Sequence, residues 1–401
     1  MKTSPLIAIL VGGVAVAHPG MDINKLIADL QTRQAGGGGP STELIGDLVN
    51  LPNSKLTPTG KEIKAILTGQ GPGEDLESTY DSTQLTAKHS PECSQDACCI
   101  WKYIADDMAE AMVGSAGRCN SVARAAVRLG FHDAASWSKA TGGTGADGSI
   151  ILADECSERR ENRGLEEICE MMQGWFDTYK KYGIGMADLI QMAANVGTVS
   201  CPLGPRVRTF VGRKDSKTPS PKNLLPEPSQ SSESLFKMFA EKSFTPAGLV
   251  ALLGAHSTSQ QSFVDPERAG APQDSTPGVW DTAFYRETLS PNAPSAVFTF
   301  QSDINVSQDP RTADVWRVFA AGPRGQITWN KAYAVEYVRM SLLGVNNLND
   351  LTECTKVLPP FRGAFEEPDQ DLLDKFMNGV LKSPLISQAL QKGDVIPANV
   401  S

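Results

Sequence analysis

The chain has 401 residues, of which 40% are hydrophobic and 21% charged. That length carries a soft expectation of about two to three domains at roughly 150 residues each, and it suffices for a large buried core. The net charge of −9 and the lack of a basic run argue against a nucleic-acid partner, because affinity for a phosphate backbone rests on clustered Lys and Arg.

The chain opens with Met1-Lys2, an apolar stretch over 6–16 and a small-residue site at Ala15-Val16-Ala17, the three parts of a secretory signal peptide. Cleavage is expected after Ala17. No later run reaches the roughly 20 apolar residues of a spanning helix, so the mature chain is expected to be soluble and extracellular, with no membrane partner. Residues 18–92 are rich in Gly, Pro, Ser and Thr, hold no cysteine, and read as a flexible extension or pro-segment with short helices over 44–49 and 60–67.

From 93 to 358 the pattern turns helical. Apolar residues recur at helical spacing over 100–112, 121–133, 165–179, 186–195, 234–239, 246–255, 311–320 and 329–343. Thr245 before Pro246 predicts an N-cap, and Thr328 and Gly344 bracket the last of these helices. Strand signals are few and short, so the fold is expected to be mainly α. A tail over 359–401 passes through Pro359-Pro360 to an amphipathic patch at 372–390. Eight cysteines, Cys93, Cys98, Cys99, Cys119, Cys156, Cys169, Cys201 and Cys354, form an even set suited to an oxidising compartment. Four disulfides are the simplest account. A zinc site is the competing one, disfavoured because no Cys-x-x-Cys spacing occurs. Asn305-Val306-Ser307 and Asn399-Val400-Ser401 are glycosylation sequons.

Two histidines carry candidate chemistry. Arg128 and His132 stand four apart on the predicted helix, so both project from one face. An imidazole that moves a proton beside a fixed cation is what heterolysis of a peroxide requires. The plainer alternative is a packed histidine with Arg128 in an ordinary ion pair. Asp133 and the Gly142–Ser149 stretch offer carboxylates, a hydroxyl and turning carbonyls, oxygen ligands of the kind calcium takes, or else a plain glycine-rich turn. Further on, an apolar helix ends in His256-Ser257, and a lone histidine on such a face is more often a core residue than an iron ligand. Two features favour ligation: a second oxygen-rich cluster over 274–281, and Asp303, a candidate acceptor for the ring N–H that a ligating imidazole donates.

In combination these residues resemble the haem peroxidase superfamily, most closely its secreted fungal class II branch of lignin, manganese and versatile peroxidases. The likeness covers 93–354, about two thirds of the chain. It implies two helical halves sandwiching haem b, with few short strands, and peroxide-dependent oxidation of phenolic or lignin-type aromatic donors through oxo-ferryl intermediates. The resemblance assigns Arg128, Phe131 and His132 to the distal side, with Asn162 orienting His132. It makes His256 the axial ligand and Asp303 its partner. One calcium ion is assigned to Asp133, Gly145, Asp147 and Ser149, and a second to Ser257, Asp274, Thr276, Val279 and Asp281. It pairs Cys93 with Cys99, Cys98 with Cys354 and Cys119 with Cys201, leaving Cys156 and Cys169 for each other. A monomer acting on hydrogen peroxide and small aromatic reductants is implied.

The chain also departs from that pattern. The last class II disulfide needs a cysteine at Asp314 and another in the tail, and both are missing. This suggests a divergent, ascomycete-like ligninase branch. The manganese-ligand positions hold Ser121, Ala125 and Ser262, and the surface-tryptophan position holds Ala251. Trp137, Trp280 and Trp316 remain as alternative surface radical sites, although Trp is more often core. The other readings are ligninolysis through such a radical, a secreted haem or calcium protein with little turnover, and a calcium module without haem.

Overall fold

The computed structural model describes residues 39–400 apart from 82 and 84, so the expected signal peptide and the start of the extension lie outside the described residues. From Gly39 onward the chain is anchored. Thr245 Oγ1 donates to the Gly39 carbonyl at 2.8 Å, and the fully buried guanidinium of Arg339 donates to the carbonyls of Ser41, Glu43 and Leu67 at 2.7 to 2.8 Å. Helix α1 (Pro58–Leu67), capped by Thr57, places Ile63, Ile66 and Leu67 in the main core beside Ile45, Leu48 and Leu56. The expectation of a flexible extension is thus corrected over 39–81. Its Gly, Pro and Ser residues make turns between pieces whose apolar side chains are buried by a helix nearly three hundred residues away.

One half of the molecule is built from α2 (Cys99–Met112), α3 (Ser121–Ala134), α4 (Glu166–Tyr179) and α5 (Met186–Ser200). Helix α5 is buried along its whole length and runs past the expected end at 195. Its late polar residues break the apolar period, yet Thr198 satisfies its hydroxyl on the Ala194 carbonyl at 2.9 Å and so needs no water. Helix α3 lies along α5 at glycine contacts. A Cβ at Gly197 would stand 2.7 Å from the Ala123 carbonyl oxygen, and one at Gly130 would stand 2.6 Å from Ala194 Cβ. That close seating holds the helix carrying Arg128 and His132 against the core.

The other half comprises α6 (Ser232–Ala240), α7 (Pro246–Leu253), α8 (Ala283–Thr288), α9 (Gln301–Gln308), α10 (Ala313–Phe319) and α11 (Gly322–Met340). Helix α11 starts well before the expected 329. Thr328, expected as its N-cap, lies inside it and bonds the Arg324 carbonyl at 2.9 Å. The first turns of α11 are polar with an exposed Ile327, which hides the apolar period. The halves meet where Tyr337 of α11 packs over Gly130 of α3. Two antiparallel pairs of two-residue strands complete the mainly α fold: β1 (Phe210–Val211) with β4 (Thr352–Glu353), and β2 (Gln260–Gln261) with β3 (Ala271–Pro272). Among the described residues no helix is long and apolar enough to cross a membrane.

Disulfides join Cys93 to Cys99, Cys98 to Cys354, Cys119 to Cys201 and Cys156 to Cys169, leaving no free thiol for zinc. The tail forms α12 (Gln370–Met377) and α13 (Pro384–Lys392), whose Leu373, Met377, Ile386 and Leu390 make a small core of their own with Val297 and Ile396. Where a disulfide is lacking, a charge holds it. Buried Arg118 pairs with Glu367 at 2.8 Å and, through both Nη atoms, with Asp369 at 3.0 Å.

Candidate active site

Helix α3 is started by Asn120, whose side-chain oxygen accepts from the N–H groups of Val122 and Ala123. Two turns on, Arg128 Nε lies 3.2 Å from His132 Nε2, and Asn162 Oδ1 lies 2.9 Å from His132 Nδ1. The proton positions follow from the network. Asn162 Nδ2 donates to the Glu155 carbonyl at 3.0 Å, so its oxygen is the atom turned to the ring, and it accepts from Nδ1–H. Nε2 is then the lone-pair nitrogen, next to the guanidinium. Burial first, and then the Arg128 charge, push the imidazole of His132 down to about 3, with the Asn162 bond opposing. The ring is therefore a neutral base. Arg128 also donates Nη1 to the Arg163 carbonyl at 3.0 Å and Nη2 to the Glu161 carbonyl at 3.3 Å, and although burial lowers it to about 10, it stays charged. Phe131 meets the His132 ring edge-on and stacks on Phe239 of α6, with centroids 6.4 Å apart.

Directly after His132, Asp133 is buried with Asp147 and Ser149. Asp133 accepts from the Gly148 N–H at 3.1 Å, and Asp147 from the Ser149 N–H at 2.9 Å and the Thr144 hydroxyl. Gly145 has φ +63°, and a Cβ there would lie 2.0 Å from the Leu343 carbonyl oxygen, so only glycine fits. Burial and the Asp147 charge raise the Asp133 carboxyl.

On the other side α7, capped by Thr245, gives way to a 3₁₀ turn over Gly254–Thr258 that holds His256. The helix expected through 255 ends at Leu253, and Gly254 lies against the Trp329 indole, where a Cβ would come within 2.4 Å, so only glycine fits. His256 Nδ1 donates to Asp303 Oδ2 at 3.1 Å; Phe284 and Phe300 stand edge-on to the ring, each with its centroid 5.6 Å away. Gln273 Nε2 donates to the same carboxylate oxygen at 3.3 Å, while buried Asp303 Oδ1 has no partner. No described residue hydrogen-bonds His256 Nε2. An imidazole fixed by an anion, with one nitrogen unclaimed among aromatic rings, fits an axial ligand to haem iron.

Beside it, Ser257 Oγ donates to the Val279 carbonyl at 3.1 Å and accepts from the Asp281 N–H at 3.2 Å, and Asp274 Oδ1 accepts from the Thr276 N–H at 3.0 Å. Buried Asp274 Oδ2 is left without a partner, and burial followed by the Asp281 charge raises the Asp274 carboxyl. Among the described residues no three of His, Cys, Asp and Glu converge on a metal position. Each oxygen cluster instead sets two carboxylates with hydroxyls and carbonyls, a donor set that suits calcium.

The two sides adjoin. Arg124 of α3 donates to Gln260, four residues after His256, at 3.2 Å. The sequence reading missed two supports: Glu155, which acts through its backbone carbonyl and so leaves no side-chain signal, and Gln273, whose only sign was its place beside Asp274. It also needs correction on tryptophan. Trp280 and Trp316 are fully buried, Trp280 stacking on Trp329 and Trp316 donating to the Tyr285 carbonyl at 2.9 Å; neither is a surface site. Trp137 is half-buried.

A family model described as Peroxidase matches residues 105–322, more than half of the chain. Ligninase C of Trametes versicolor is 34% identical over 66% of this chain and 75% of its own length. A peroxidase of Coprinopsis cinerea is 32% identical over 74% and 84%, and manganese peroxidase 3 of Phlebia radiata is 30% identical over 74% and 88%. Taken with the mainly α fold, these likenesses make the chain a haem peroxidase, a member of the fungal class II branch of that family.

Proposed function

We propose that the protein is a secreted, monomeric enzyme that spends hydrogen peroxide on one-electron oxidation of small phenolic and lignin-type aromatic donors. It would use haem b on His256 and two calcium ions in the clusters around Asp133 and Asp274. The observation that carries this reading is the run of contacts from the Glu155 carbonyl through Asn162 and His132 to Arg128. A protein that only stores haem needs His256 alone.

Haem would supply the iron that binds peroxide and takes up its two oxidising equivalents. His132 Nε2 accepts the proton of the nearer peroxide oxygen and passes it to the farther one, which leaves as water. Arg128 lies where negative charge grows as the O–O bond breaks, and its carbonyl partners hold it there without neutralising it. Asn162 keeps the receptive nitrogen turned toward Arg128. Asp303 keeps Nδ1 of His256 protonated and makes Nε2 the electron-rich ligand. Among the relatives, the name ligninase supports a lignin-type aromatic donor, whereas the name manganese peroxidase points to a metal reductant. Ser121, Ala125 and Ser262 offer no carboxylate for manganese, and the burial of Trp280 and Trp316 disfavours a surface tryptophan radical there.

The test is spectroscopic. The purified haem-loaded protein should show a Soret band that shifts on one equivalent of peroxide, and His132→Ala should slow that shift by about 10²- to 10⁴-fold. A band that fails to respond in the unaltered protein would end the peroxidase reading.

A further inference from the structure

The turn between β2 and β3, just past His256, leaves Phe263 47% and Val264 49% exposed. The Phe263 ring has a partner from the other half: the Arg163 guanidinium lies 4.4 Å from its centroid. Arg163 follows Asn162, and its carbonyl accepts from Arg128 Nη1 at 3.0 Å. The next residue, Gly164, has φ +85°, and a Cβ there would lie 2.8 Å from Phe263 Cε2 and 3.4 Å from Arg128 Nη1. The bare glycine lets a ring from one half cross the gap and rest beside the arginine of the other. Glu166 also holds the glycine, accepting from its N–H at 2.7 Å.

We propose that Arg163 and Phe263 form a clasp over the mouth between the halves and so set donor size, admitting single-ring phenols to the space beside Arg128 and holding back fused-ring donors. The inference rests on the peroxidase reading above. Stacking of an arginine on an exposed ring is a weak contact, so the clasp closes the mouth without sealing it. The surfaces it covers when shut, a ring face and an aliphatic shoulder at Val264, are those an aromatic guest displaces.

Both side chains are exposed, so Phe263→Ala and Arg163→Gln spare the core. In the haem-loaded full chain without peroxide, equilibrium titration should show Phe263→Ala binding 1-naphthol about tenfold more tightly and 2-methoxyphenol within about twofold of the unaltered protein. Arg163→Gln should move the same way by less. The ratio of kcat/KM for the two donors should follow, and haem should pass to excess apomyoglobin several-fold faster from Phe263→Ala. Unchanged binding of both phenols overturns the clasp. Equal weakening of both also overturns it, because the ring is then a platform. If the unaltered chain binds phenols but its Soret band ignores peroxide, the peroxidase reading fails and the clasp falls with it.

Discussion

In the proposed mechanism His132 would serve as the base because three neighbours each remove one of its freedoms. Asn162 fixes the tautomer, Arg128 and burial keep the ring neutral, and the Glu155 carbonyl stops the Asn162 amide from turning over. Asn162→Val should therefore slow the reaction with peroxide by about 10- to 100-fold while leaving the haem on His256, as seen in an unchanged resting spectrum. A second residue is costly instead of useful. Glu336 of α11 is buried against Gly248 with neither carboxylate oxygen partnered, and Arg339 Nε is 4.0 Å away. Burial raises it from 4.5 to about 7, Arg339 offsetting part of the effect. Because the folded-state value is the higher one, the contribution of this group to stability is full below about pH 4.5 and is lost as pH rises through about 7. Glu336→Gln should thus gain on the unaltered protein between pH 5 and pH 8, by up to about 3 kcal/mol, in denaturant unfolding at the two values. A difference that is the same at both would show that the carboxylate does not titrate in that range.

At the scale of elements, each histidine sits on a segment whose end is tied down by an oxygen cluster. Asp133 belongs to the last turn of α3, and Ser257 to the 3₁₀ turn that holds His256. In each cluster burial and then a neighbouring charge raise one carboxyl, Asp133 beside Asp147 and Asp274 beside Asp281, and Asp274 Oδ2 has no protein partner. A divalent cation relieves both conditions. Chelation of calcium should lower the unfolding temperature, with a loss of about 3 kcal/mol for each site that calcium had filled at a hundredfold excess over its Kd. Calcium should restore it and magnesium should not, since magnesium keeps its waters and demands tighter geometry. An unfolding temperature indifferent to chelator would remove both ions from the account.

At the scale of the whole molecule, both ends of the described chain are built into it. Arg339 gathers the segment from Ser41 to Leu67, and Arg118 gathers the tail through Glu367 and Asp369. Breaking a buried pair from one side leaves an uncompensated charge, at about 3 to 5 kcal/mol. Arg118→Gln strands Asp369, so limited proteolysis should cut first between 364 and 400 and leave the disulfide-linked body, closed by Cys98 and Cys354, intact. Cleavage spread evenly over the chain would show that the tail does not depend on this arginine.

Local rules sufficed for much of this. The spacing of Arg128 and His132, the Thr245 cap with Pro246 behind it, the oxygen-rich runs after each histidine and the short-range apolar period of α2, α3 and α4 depend on residues within a few turns, and all could be read from the chain. Other features involve partners far apart in sequence. The burial of Ile45 and Leu48, the interior place of Trp280 and Trp316 and the meeting of Phe263 with Arg163 are settled by packing between segments distant along the chain. Composition made 39–81 look like a tether because turn residues are counted where they stand, whereas burial is decided by what folds back over them.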